Sequence, residues 1–137
     1  MITLVDSNIL IDVFGAHPEH GPASARTLRQ CLHAGAVHAC EIVWAEVASI
    51  FASEKAFLKA IQTLGIEFSS TRQESALLAA HIWRRYRETG GKRERIMADF
   101  LIGAHAKIQG DRLLTRDRGF YRHYFSGLTI IEPKINV

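Results

Sequence analysis

The apolar positions of this chain follow two rhythms. Near the start, "ITLV" is a short unbroken apolar run rich in β-branched residues, the pattern of a buried strand. It stops at Asp6. The stretch from Asp6 to Asn8 then has the short polar side chains of a helix start, where side-chain oxygens can accept from free first-turn N–H groups. A brief helical run, "ILIDVFG", ends near Gly15. After the loop "HPEHGP", "ASARTLRQCLHAG" reads as a helix closed by Gly35, and "AVHAC" as a second strand. "IVWAEVASIFASEKAFLKAIQTLG" carries helical spacing over a length that suits two helices, with Gly65 as terminator. "IEFSS" is a candidate third strand. In "TRQESALLAAHIWRRYRETGG", Ala76, Ala79, Ala80, Trp83 and Tyr86 fall on one helical face, and Gly90 and Gly91 end it. "RIMADFLIGAHAKIQG" predicts another helix, "RLLT" a strand, "RDRGFYRHYF" a short helical segment and "LTIIE" the last strand.

Strands therefore alternate with helices. Parallel strands need crossovers, so this order predicts an α/β fold with a mainly parallel sheet covered by helices. No internal repeat, low-complexity tract or linker breaks it, and the expectation is one domain over residues 1–137. That length suits a single domain, and a hydrophobic share of 47% supports a sizeable core. No stretch has the long uncharged apolar run of a membrane span, which predicts a soluble protein. "MITLVDSN" lacks the basic start and apolar middle of a signal peptide, so the expected location is the cytoplasm. In that reducing setting Cys31 and Cys40, which form no C-x-x-C pair, read as small buried hydrophobes. His17 and His20 have ligand-like spacing, but "GAHPEHGPA" reads better as a surface loop.

The formal net charge of +3 is compatible with an anionic partner without requiring one. Its distribution says more. "RRYRETGGKRER" gathers Arg84, Arg85, Arg87, Lys92, Arg93 and Arg95, and "RDRGFYRHY" adds Arg116, Arg118 and Arg122. A solvated helix end and a phosphate-contacting surface explain this clustering equally well.

The acids change the picture further. Ligands of open parallel sheets sit at the carboxyl ends of the strands. Asp6 directly follows one predicted strand, and Asp117 lies just past another. Taken singly, each is well explained as a helix cap. Asp99 lies in "IMADFLIGAHA", a segment apolar nearly all round and hence expected to be buried, where a lone carboxylate is costly. A first-turn carboxylate favoured by the helix dipole, or one paired with Arg93 or Arg95, is the equal alternative to a site residue there. Glu46 is the lone acid inside the apolar run "IVWAEVASIF". Glu41 competes with it, and geometry does not choose, although position favours Glu46. Four acids in or at the ends of apolar elements exceed what caps require. Clustered carboxylates repel and need cations, and an all-oxygen set suits Mg²⁺ or Mn²⁺. Such ions serve phosphate chemistry.

These residues resemble a known family. "VDSNILID" resembles the D-[ST]-N-x-L-x-D opening of PIN domains, "IVWAEV" is similar to their central glutamate helix, and "ADFLIGAHAKIQGDRLLTRDRGF" looks like their D-x-x-I-A-A-x-A segment running into L-[ST]-x-D-x-x-F. The ordered set covers nearly the whole chain, and small single-domain versions resemble VapC-type toxins. The resemblance implies a three-layer PIN-like fold. It implies that Asp6, Glu46, Asp99 and Asp117 are the catalytic, metal-binding quartet, supported by Asn8 and Thr115. Asp12 matches the second aspartate of the opening motif, with a solvent-facing helix residue as the plain alternative. Gly103 replaces an alanine common in the family, with looser local packing as the expected result. Residues 15–24 match nothing in the pattern.

The resulting expectation is a Mg²⁺- or Mn²⁺-dependent endoribonuclease, the toxin of a toxin–antitoxin pair, with RNA as substrate. Arg93, Arg95 and Arg116 are the expected contacts to RNA phosphates or to an antitoxin tail. The resemblance also implies a homodimer and a small antitoxin partner. Two rivals stand beside it. One is a PIN fold used only for binding or assembly, which loss of an acid would favour, and none of the four is lost. The other is a haloacid-dehalogenase-type phosphatase, which needs an aspartate where this chain has Asn8.

Overall fold

The computed structural model of the chain describes residues 1–91 and 95–135. Its elements run β1 (Ile2–Val5), α1 (Ser7–Phe14), α2 (Gly21–Ala34), β2 (Ala36–Ala39), α3 (Glu41–Ala48), α4 (Glu54–Leu64), β3 (Glu67–Phe68), α5 (Gln73–Glu88), α6 (Met97–Gln109), β4 (Arg112–Leu114), α7 (Arg118–Tyr124) and β5 (Ile130–Ile131). The five strands form one parallel sheet in the order β3-β2-β1-β4-β5, flanked by the helices. Central β1 pairs with β2 on one side and β4 on the other, with Val5 opposite Leu114. The chain winds outward from β1 in one direction through β2 and β3, then returns to begin again at β4. The strand order therefore reverses between β1 and β4, and a crevice opens there at their carboxyl ends.

The continuous apolar strands are explained by this placement. Leu4, Val5, Leu113 and Leu114 are buried because helices cover both faces of a parallel sheet. The long apolar segment after β2 breaks into α3 and α4, and Ser53 starts the second helix by accepting from the Ala56 N–H at 3.1 Å. Residues 15–24 are less loop-like than expected. The His17 Nδ1 atom accepts from the N–H groups of Glu19 and His20, and α2 begins at Gly21. Both cysteines are buried and free.

The buried face of α5 is rotated from the one the alanines suggest. Ala76 is exposed, whereas Ser75, Ala79 and Tyr86 are buried. Ser75 enters the α5–α6 contact because its hydroxyl donates to the Gln109 side chain at 2.8 Å, which satisfies a polar group that would otherwise be costly there. Beyond it, Trp83 and Tyr86 of α5 meet Phe100 of α6, with ring centroids 5.1 and 5.2 Å away, and Phe100 meets Phe120 of α7 at 5.2 Å. This aromatic cluster sets α6 against α7.

Gly103 lies where α6 passes the Phe125 ring. A Cβ on Gly103 would overlap that ring. The packing is therefore tight, not loosened: the glycine lets a large aromatic sit on the helix backbone.

Candidate active site

Asp6 follows β1 and is buried, with 6% of its surface exposed. Its backbone N–H still bonds to Leu114, so the sheet fixes its position. One carboxylate oxygen accepts from the Ser7 N–H at 2.8 Å. The other accepts from the Thr115 hydroxyl at 2.7 Å and, more distantly, from the Asn8 amide at 3.4 Å. The Asn8 carbonyl oxygen in turn accepts from the Arg116 N–H at 3.2 Å, and the Thr115 oxygen accepts from the Asp117 N–H at 3.0 Å. Asn8 and Thr115 thus tie the loop after β1 to the loop after β4, and hold Asp6 between them.

Burial raises the Asp6 carboxyl to about 6. The hydrogen bonds from Thr115, Ser7 and Tyr121 oppose that rise, and nearby Glu46 adds to it. Glu46 itself is an exposed residue of α3, and one of its oxygens accepts from the Ser7 hydroxyl at 2.6 Å. Glu41 does not compete for the site. Both its oxygens accept from the Thr71 N–H, and one also accepts from the Thr71 hydroxyl. Burial pushes the Glu41 carboxyl up, but these bonds outweigh it and hold it below its usual value.

Asp99 stands in the first turn of α6, where its carboxylate accepts from the Ile96 N–H at 3.1 Å. It caps its helix. Its charge also acts on the Tyr121 hydroxyl, as those of Asp6 and Asp117 do. Burial first, then these three acids, hold the Tyr121 hydroxyl well above its usual pKa. The four acids are linked through two residues: Asp6 and Glu46 both accept from Ser7, and the charges of Asp6, Asp99 and Asp117 all act on the Tyr121 hydroxyl. Sequence reasoning missed both Ser7 and Tyr121. Ser7 lies within the quoted opening motif. Tyr121 is four residues after Asp117, one turn along the same short helical segment, and that spacing was its only signal.

The arginines are placed differently from expectation. Arg95 makes a two-pronged pair with Asp117, not with Asp99. Arg116 turns away from the crevice and grips Asp12 through Nε at 2.6 Å and Nη2 at 3.0 Å. Asp12 is no solvent-facing residue: it is 2% exposed and also accepts from the Ser24 hydroxyl at 2.9 Å. Arg93 lies outside the described residues.

The donor chemistry suits a hard divalent cation, since every acid supplies oxygen and Asp6 is held short of positive charge. Among the described residues, no ion pair reaches Asp6, Glu46 or Asp99. The side chains do not close around a single point, however. No three His, Cys, Asp or Glu side chains among the described residues stand close enough to hold an ion. Glu46 is turned to Ser7, Asp117 to Arg95 and Asp99 to the Ile96 N–H.

The sheet order and the family pattern agree. The PIN domain family model matches residues 3–126, and the chain belongs to that family. Among solved structures it is similar to VapBC2 from Rickettsia felis bound to a DNA fragment from its promoter (TM-score 0.76, 17% identity, 98% of this chain and 100% of that one). It is similar to a toxin–antitoxin complex from Klebsiella pneumoniae (TM-score 0.66, 23% identity, 98% and 99% covered). It is also similar to FitAcB from Neisseria gonorrhoeae (TM-score 0.66, 24% identity, 96% of each chain). At these identities the likeness is one of fold. No curated protein matches the chain in sequence. No helix among the described residues is long and apolar enough to cross a membrane.

Proposed function

We propose that this protein is a divalent-metal-dependent endoribonuclease and the toxin of a toxin–antitoxin pair, acting in the cytoplasm. The observation that carries the reading is Asp6 buried at the end of β1 and raised to about 6 by that burial, with Glu46 linked to it through Ser7 and with Asp99 and Asp117 acting on the same Tyr121 hydroxyl as Asp6. Membership of a nuclease family supports it. The fold it shares with components of toxin–antitoxin complexes supports the assignment to such a pair. A small antitoxin and a second copy of the chain are the partners this implies.

The four acids would hold Mg²⁺ or Mn²⁺. When bound, such an ion supplies an activated water and neutralises charge on the phosphoryl oxygens. The chain's own part is positional. Thr115, Asn8 and Ser7 keep the Asp6 oxygens fixed, so the acid at the centre pays little reorganisation on binding. Tyr121 closes the floor of the site as a neutral phenol. Arg95, and Arg93 beside it in sequence, would receive RNA phosphates. Arg116 is committed to Asp12, so its contribution is to hold Asn8 through its own N–H. Water attacks phosphorus in line, the P–O3′ bond breaks, and the products carry a 5′-phosphate and a 3′-hydroxyl.

A PIN fold used only for binding is the second reading, favoured by the absence of a closed ligand set among the described residues. Purified protein incubated with RNA in Mg²⁺, in Mn²⁺ and in chelator separates the two. Cleavage that requires the ion and is lost in a folded Asp6→Ala variant is expected. Equal cutting by the variant would reduce Asp6 to a helix cap, and no cutting under any condition would favour the binding module.

A further inference from the structure

Among the described residues, Arg95 is the cation that sits directly on an acid of the quartet. Its Nη2 lies 3.3 Å from one Asp117 oxygen while Nη1 bonds the other, and its guanidinium carbon stands 4.2 Å from the Phe120 ring centroid. Phe120 is buried at the edge of the aromatic cluster, so the stack fixes where the guanidinium rests. Both members of the pair stay reachable by water, with 31% and 35% of their side chains exposed. A guanidinium fork occupies both oxygens of a carboxylate at once. Asp117 cannot offer the same lone pairs to a metal ion while that fork is in place.

We propose that Arg95 is an internal latch on the metal centre: in the ion-free protein it occupies Asp117, and a divalent cation must displace it to bind. The inference rests on the reading above, that the four acids hold such an ion. Apparent ion affinity is then the intrinsic affinity reduced by the fraction of molecules whose latch is open. A pair this exposed is worth little, so the latch acts as a brake, weakening ion binding about three- to five-fold.

Calorimetric titration of the full chain with Mn²⁺ tests this, with no need for RNA. Arg95→Gln is expected to bind Mn²⁺ about three- to five-fold more tightly than the parent. Arg95→Lys keeps the charge but loses the fork, and should also bind more tightly, by a smaller factor. Arg118→Gln removes an exposed charge from the residue after Asp117 and should change the affinity less than two-fold, on the order of a screened surface charge. If Arg118→Gln tightens binding as much as Arg95→Gln, the effect is general electrostatics and the latch is overturned. If the parent binds Mn²⁺ and Arg95→Gln binds it no more tightly, the latch falls while the metal centre stands. If neither protein binds Mn²⁺, the metal-centre reading falls and takes the latch with it. Melting each variant in chelator confirms that the comparison is between folded proteins.

Discussion

Asp6 shows how burial becomes a pH dependence. Its carboxyl is raised to about 6 in the folded protein, against an ordinary unfolded value of about 3.9. Between those values the native state binds more protons than the unfolded state, so stability falls as pH rises through the window. About two pH units at ~1.4 kcal/mol each give a loss on the order of 3 kcal/mol above the folded pKa. In chelator, urea unfolding of the parent should show this loss between pH 4 and 7.5 relative to Asp6→Asn. The amide keeps one oxygen to accept from the Ser7 N–H, can turn its own N–H to the Thr115 oxygen, and carries no charge. An identical pH slope in both proteins would show that Asp6 is not the buried charge responsible. Gly103 makes a second argument at this scale. With Phe125 seated against its Cα, Gly103→Ala should destabilise by about 1–3 kcal/mol through overpacking, although alanine is the better helix former. A stabilised variant would mean that the Phe125 ring moves aside at no cost.

Elements reach the site through two contacts outside the four acids. Phe100 is fully buried and touches aromatic rings from α5 and α7, so it holds α6 and with it Asp99. Phe100→Ala should cost about 3–5 kcal/mol, read from the urea midpoint at unchanged slope. The Asp12–Arg116 pair joins α1 to the loop after β4, and its two ends are unequal. Asp12 is almost wholly buried, whereas the Arg116 side chain is 31% exposed. Arg116→Met leaves a buried carboxylate with only the Ser24 hydroxyl, at a cost of about 3–5 kcal/mol. Asp12→Asn frees an arginine that can turn to water, and the loss should be clearly smaller. Chemical unfolding of both variants measures the asymmetry. Equal losses would mean that Asp12 finds another partner.

For the whole molecule, ion binding and folding are linked. A cation that binds only the native state adds stability that grows with its concentration. It needs ionised carboxylates, so protons compete with it at Asp6. The rise in melting temperature produced by a fixed excess of Mn²⁺ should therefore be larger at pH 7.5 than at pH 5, on either side of the Asp6 value of about 6. A rise independent of pH would place the ion somewhere that does not include Asp6. The same experiment on Asp6→Asn should show little rise at either pH.

The sequence by itself determined what local chain geometry controls. Short β-branched runs between helical stretches dictate buried parallel strands, and "ITLV" and "RLLT" became the adjacent β1 and β4. Because Asp6 follows β1 at once and Asp117 lies just past β4, beyond Thr115 and Arg116, their place beyond the carboxyl ends of adjacent strands was legible from position. What only the tertiary structure decided depends on contacts across great sequence distance. Glu41 and Glu46 lie on one short helix and look alike in sequence; they parted because Thr71 satisfies the first and Ser7 meets the second. Arg116 read as a phosphate contact until the fold brought it to Asp12, 104 positions away. Thr115 meets Asp6 across 109 positions for the same reason. A residue's neighbours in sequence set its backbone and its cap, whereas the partner of its charge is chosen by whichever buried group the packed elements leave within reach.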